Sequence, residues 1–525
     1  MAVIILPKST WDLTATTSSS AVIGDQRVLF IGQQVTDSSD DGVLVKDIGS
    51  SGEEDSLFGE QCILSEAIRQ FRAINSTTTI DAIPYNDDGS AVAATGSIAF
   101  TGTATEDGVL TLYVQSKTKY ALSLTIPSGA TANDLASDFT DLINAESDIL
   151  ATAVFNSGVD STDLTAVNGG TQLNTLGLWM EGSVSGLAFD ITGMNGGATD
   201  PDISNFSAQV SNIRYQSVLA PLFGLSDVKS FLDGRFNSTG VVLDGVSFMG
   251  QTSDSTTVQA TALSMNSGSM LLLVNKSVSK TDDAGNTFYA GSSLFELDMS
   301  LCAQDVAIRT KRFTKDQNIA RYLVGSAGSG NSFGGPWLAG VPYQNTPFSN
   351  LEVIESEYGW TSDEQEDLNN NGCMFLGNNA SLTSIISGQA ITTYTTNTLG
   401  QSDTSFKFLN TVDTGSVIRE FYYNSNLTEY AQAVMTTGDI IPNAKQVNPS
   451  AFTAFQVGLY STLANDSNYA LAQAGSDALS FYKENLTVAF DLTTGTITTT
   501  MDVPIVSQVR TIDGTVNITF DTTTS

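Results

Sequence analysis

The stretch DLNNNG places Asp367, Asn369, Asn371 and Gly372 at the spacing with which a calcium loop begins. Such a loop closes on a bidentate Glu at its twelfth position, and here that position is Asn378. The strongest ligand is missing, so Gly372 reads instead as the residue that ends a helix. A second candidate is GSAGSGNSFGGP, residues 325–336. It lacks the Lys of a phosphate-binding P-loop and the spacing of a dinucleotide fingerprint, and it reads as a surface loop. Acid pairs such as Glu53/Glu54 and Asp87/Asp88 sit beside Gly and Ser. They read as solvated turn charges, and no glycosidase pair can be picked from so many acids. The sequon at Asn426–Thr428 has meaning only in a secretory eukaryotic setting.

The chain has no histidine. That removes Ser-His-Asp and Cys-His nucleophilic machinery, His-ligated metals and histidine pH switching. Cys62, Cys302 and Cys373 lie far apart, form no CxxC and sit in apolar contexts (QCIL, SLCA, GCMF). They read as buried thiols rather than a disulfide framework or a zinc site. An enzyme would have to work with carboxylates, Lys, Tyr or Ser alone, and the reading is of a protein that is not an enzyme.

The elements give these residues their context. At 525 residues about three domains are expected. The apolar fraction of 41% supports real cores, and no apolar run is long enough for a transmembrane helix. The opening MAVIIL has too short an apolar burst for a secretion signal. The net charge of −34, against 22 basic residues, argues against binding nucleic acid through its phosphates.

RVLFIGQ (27–33) predicts a strand, EQCILSEAIRQFRAIN (60–75) a helix with Ile63, Ala67, Ile68, Phe71 and Ile74 on one stripe, and TTTIDAIPY (77–85) a strand stopped by Pro84. Residues 86–200 turn rich in Gly, Thr and Ser. Strand patterns at SIAFTG, GVLTLYVQS and YALSLTIP flank a helix over 131–145, with Thr131 and Asp134 set for a capping box. This reads as a β-rich insertion bounded by turns. Beyond 207 strands and helices alternate: YQSVLAP, DVKSFLDGRF, GVVLDGVSF, TVQATALSMN, MLLLVN, then a helix over 292–310. A helix capped by Thr361 or Ser362, the strand CMFLG, and helices around 412–438 and 449–472 follow. The tail holds NLTVAFDLTTGTITTTMDV, turning near Thr493–Gly495, and VRTIDGTVNITF, turning on Asp513–Gly514.

The two ends carry apolar strand patterns. Val3, Ile4 and Ile5 precede a Ser/Thr hinge, and Val516, Ile518 and Phe520 alternate with polar residues. An apolar edge strand invites pairing with another chain, so these six residues are expected to join copies by β-augmentation.

GWTSDEQEDLNNNGCMFLG followed by QAITTYTTNTLGQSDTSFKFLNTVDTGSVIREFYY resembles the C-terminal part of contractile phage tail sheath proteins of the Mu-like kind. VLFIGQ, SLFGEQCILSEAIRQFRAIN, TIDAIPYNDDGSAVAATGSIAFTGTAT and ITGMNGGATDPD are similar to that family's first α/β portion and its β-rich insertion, and WLAGVPYQNTPFSNLE to the loop before its C-terminal core. The resemblance implies a mixed α/β, multidomain subunit of the virion tail, assembled in the host cytoplasm. It implies stacked hexameric rings around a tail tube protein, linked by exchanged arms, with baseplate and tail terminator proteins as further partners, and contraction that drives the tube through the host envelope. It implies no cofactor, no metal site, no direct contact with nucleic acid and no membrane insertion. The expected organisation is an arm (1–20), an α/β domain (21–86 with 201–345), an inserted domain (87–200) decorating the outside of the tube, a C-terminal core (346–502) and an arm strand (503–525). The competing reading is a virion adhesin with a carbohydrate-binding β-domain at 86–200.

Overall fold

The structure is a computed structural model that describes residues 26–35, 40–115, 119–210, 212–236, 242–281, 287–291, 297–312, 347–351, 353–355, 357–379, 381–441, 445–465 and 471–505, with the backbone alone for 279–281, 287–291, 311 and 312. The chain divides into two compact units, Met1–Gln317 with Tyr343–Ala431, and Asn318–Pro342 with Gln432–Ser525.

The first unit opens with β1 (Val28–Gln33), β2 (Val45–Ile48), α1 (Glu53–Phe58), α2 (Ile63–Ile74) and β3 (Ile80–Tyr85). An excursion follows, with β4 (Ala93–Gly102), β5 (Gly108–Val114), β6 (Ala121–Ile126), α3 (Ala132–Ala145), β7 (Ala151–Asn156), β8 (Ser161–Gly169), β9 (Leu178–Glu181) and β10 (Leu187–Asn195). The chain then returns through α4 (Phe206–Gln209), β11 (Ser217–Leu219), α5 (Leu225–Asp233), β12 (Val246–Ser253), α6 (Ser255–Met265), β13 (Met270–Thr281), β14 (Thr287–Gly291), α7 (Asp298–Arg312), α8 (Ser362–Asn370), β15 (Cys373–Asn378), β16 (Ile385–Ser387) and α9 (Leu409–Tyr430).

The main sheet has the order β16-β15-β13-β12-β11-β1-β3-β2, with β14 paired to β13. From β15 to β3 every pair along this path is parallel; β2 and β16 run antiparallel at the edges. Parallel strands are covered on both faces, which is why β1 and β3 are buried at every residue. The predicted stripe of α2 faces inward, and Phe71 meets Phe30 of β1 edge to face at 5.6 Å.

Pro84 does not stop β3, which runs through it to Tyr85, opposite Gln33 of β1. The pairing of β2 with β3 ends at Val45↔Ala82, and the carbonyl of Pro84 accepts from the Gly42 N–H on that same side at 2.8 Å. The missing N–H therefore falls beyond the β2 ladder, where a proline is tolerated. Other bounds also shift. The predicted strand at 240–248 lies at 246–253, and the predicted helices at 292–310, 412–438 and 449–472 lie at 298–312, 409–430 and 449–465.

The excursion forms two antiparallel sheets, β10-β4-β8-β7 and β6-β5-β9. On α3, Phe139 stacks on Phe100 of β4 at 5.6 Å. Its N-terminus carries the predicted capping box: Thr131 Oγ1 accepts from the Asp134 N–H, and Asp134 Oδ2 from the Thr131 N–H.

The second unit has the short parallel pair β17 (Val434–Met435) and β18 (Gln446–Val447), then α10 (Pro449–Asn465), α11 (Ser476–Glu484), and the antiparallel hairpin β19 (Thr487–Asp491) and β20 (Thr496–Thr500). Tyr460 of α10 stacks on Tyr482 of α11 at 4.3 Å, and both hydroxyls donate to backbone carbonyls, of Gln473 and Gln456.

Candidate functional site

The residues that looked chemical have structural work. Thr361 caps α8 in a second capping box with Glu364. Gly372 follows that helix with φ +77°, and a Cβ there would come 2.9 Å from the Thr393 Cα, so glycine is required by both conformation and space. Among the described residues no group of three or more Cys, Asp or Glu could hold a metal ion. Cys62, Cys302 and Cys373 are free and buried. Burial raises all three thiols, Cys302 well above its ordinary value and Cys373 to about 12. The loop at 325–336 lies outside the described residues.

A cavity of about 230 Å³ opens where β11 and β12 end, lined by Thr171, Gln172, Gln251, Thr252 and Asp298 among apolar side chains. The Asp298 carboxylate accepts from the Thr252 N–H at 3.0 Å and hydroxyl at 2.6 Å, and burial raises its pKa. One carboxyl tied to its neighbour is not the pair that glycoside hydrolysis needs.

Polar contacts instead hold parts of the first unit together. Asp87 accepts from Gln33 at 2.7 Å, from Asn168 at 3.0 Å and from the Gly169 N–H at 2.7 Å, which pins β8 of the excursion to the end of β1. On α2, Arg69 pairs with Asp55 at 2.5 Å and Glu66 at 3.0 Å, and Lys119 of the excursion reaches Glu66 at 3.2 Å. The helix α9 docks through charges. Asp413 meets Arg309 of α7 at 2.7 Å with both side chains buried, Glu420 meets Arg214 at 2.7 Å, and Arg419 meets Asp244 at 2.5 Å.

In the second unit Val488, Phe490, Ile497 and Thr499 are half-buried while their strand neighbours are exposed. Phe490 meets Phe452 of α10 at 6.1 Å. β19 and β20 pair with each other, and among the described residues no other strand pairs with either. Val434, Ile441, Phe481 and Leu492 of this unit are exposed. The sequence reading found this hairpin by its period of two but did not name its residues as a site. The residues it did name, Val3, Ile4, Ile5, Val516, Ile518 and Phe520, lie outside the described residues.

No protein-family model matches the chain. The Mu-like prophage FluMu tail sheath protein of Haemophilus influenzae is 31% identical to it over 182 residues. Over that stretch the chain resembles a phage tail sheath protein. The matched stretch covers 34% of this chain and 37% of that sheath protein's own length. Solved structures similar to the chain are a sheath tail protein from Listeria innocua (10% identity, 92% of each chain, TM-score 0.44) and one from Desulfitobacterium hafniense (9% identity, 94% of this chain and 99% of that one, TM-score 0.43). A third is the contracted helical sheath of the anti-feeding prophage (11% identity, 98% and 99%, TM-score 0.38).

Proposed function

We propose that the chain is the structural subunit of a contractile phage tail sheath. In this reading copies stack as hexameric rings around a tail tube protein, between baseplate and terminator proteins, and contraction drives the tube through the host envelope. The subunit works in the virion tail and is assembled in the host cytoplasm. The expected boundaries keep their meaning, with residues 87–200 as a domain inserted into the α/β portion and residues 1–20 and 503–525 as arms.

The observation that carries the assembly mechanism is the β19–β20 hairpin. A two-stranded hairpin is marginal alone, and open edges with a half-apolar face are a liability unless something pairs with them. Strands from neighbouring copies are the proposed partners, with Val3, Ile4 and Ile5 of one arm and Val516, Ile518 and Phe520 of the other extending the hairpin into a sheet. Such links hold the polymer together while the faces between subunits repack from one arrangement to another.

The test is negative-stain electron microscopy of the full chain and of a chain lacking 503–525, each with and without tube protein. Tubes or stacked rings from the full chain, and none from the shortened one, are expected. A full chain that forms no polymer even with tube protein would overturn the reading and favour a virion adhesin.

A further inference from the structure

The sheath reading asks many copies of one chain to lie face to face, and each copy carries a net charge of −34. Cations could offset this if they were free to reach a neighbour's carboxylates. In the structure most described cations are already engaged within their own chain. Arg69, Lys119, Arg214, Lys276, Arg309 and Arg419 each pair with a carboxylate of the same copy. Arg72 and Arg235 are buried against backbone carbonyls. Lys46, Lys407, Lys445 and Lys483 are the described cations outside such arrangements. Whatever the remaining cations do, pairing between copies redistributes the excess of acid without removing it.

Part of the acid is held in its charged form by local hydrogen bonds. Asp88 and Asp254 are exposed and Asp403 is half-buried, and the hydroxyls and N–H groups of Ser90, Thr257 and Ser405 keep their pKa values below the ordinary carboxylate range. These carboxylates stay ionised at any pH above that range. Asp138, Asp141, Glu146 and Asp190 add exposed charge on the excursion.

We infer that association between copies of this chain is gated by dissolved cations, growing stronger as salt rises rather than weaker. The inference rests on the sheath reading. Its physical basis is screening: charges interact over ~30 Å at 0.01 M salt, ~10 Å at 0.1 M and ~3 Å at 1 M. At the lowest salt each approaching copy meets the whole field of its neighbour. At the highest only groups in contact matter, and apolar burial and strand pairing decide.

The experiment measures sedimenting polymer of the full chain with tube protein from ~0.01 M to ~1 M NaCl, and with MgCl2 at matched ionic strength. Polymer is expected to rise about tenfold or more across that range, with MgCl2 acting at least as strongly. A variant with Asp138→Asn, Asp141→Asn, Glu146→Gln and Asp190→Asn together is expected to reach half-assembly at lower salt. Polymer that is constant or falls with salt overturns the inference and leaves the sheath reading standing. Absence of polymer at every salt concentration sinks the sheath reading. The inference is then decided by light scattering from the dispersed chain, whose mutual repulsion must fade with salt. Repulsion that persists at ~1 M overturns it.

Discussion

The excursion at residues 87–200 and the β19–β20 hairpin are both β-rich, yet their attachments differ. The excursion is fastened to the end of the main sheet by partly buried polar contacts. Its ladders fill two sheets, and Asp87 spends its oxygens on Gln33, Asn168 and Gly169 at the junction, where Gln33 and Asn168 are buried. Among the described residues the hairpin's outer edges are unpaired, and its inner face is only half covered. A satisfied polar junction has one good arrangement and resists change, because each lost partner strands a buried group. An unpaired edge leaves backbone donors and acceptors that another strand can take up. One region is fixed within its own chain, and the other is the one that the proposed assembly would use.

That contrast can be broken from the fixed side first. Arg309→Met leaves Asp413 buried without its main cation and is expected to cost about 3–5 kcal/mol in chemical denaturation, whereas Arg309→Met combined with Asp413→Leu is expected to fall near wild type. Asp87→Ala strips the Gly169 N–H and the Gln33 and Asn168 amides of an acceptor, for about 1–3 kcal/mol, and should raise hydrogen exchange at β8. On the open side, Phe490→Ala removes a half-buried ring, for about 1–1.5 kcal/mol, but should reduce polymer far more than it lowers stability. An equal loss in both readouts would count against the hairpin as an assembly surface. Thr361→Ala is expected to cost about 1 kcal/mol through the lost cap of α8, with assembly unchanged. The smallest response should come from the thiols. With Cys62, Cys302 and Cys373 buried and raised, thiol reagents at pH 8 should label the native chain no faster than it unfolds.

Much of the local structure was legible in the sequence because it is encoded over a few residues. The stripe of α2, the capping box at Thr131, a cap at Thr361 or Ser362, the β19–β20 turn with Gly495 at φ +69°, and the glycine after α8 all follow from short-range sterics and periodicity. The failures have a common cause. Pro84 was read as a stop because a proline removes a donor, but whether that donor was needed depends on how far β2 extends, which is set by residues forty positions away. α1, β2, β16 and α11 are short and were missed, since a few residues carry too little periodic signal and are held by what they pack on.

The sequence by itself determined a mixed α/β chain without histidine chemistry, an acid excess of 34 charges, and a resemblance to sheath proteins carried by the order of its motifs. These are properties of composition and of neighbouring residues. Only the tertiary structure decided that Arg309 meets Asp413, that Asp87 joins the excursion to the sheet, and that β19 and β20 find no third strand among the described residues. Charges and edges are paired by distance in space, and residues a hundred positions apart carry no mark in sequence of whether they will touch.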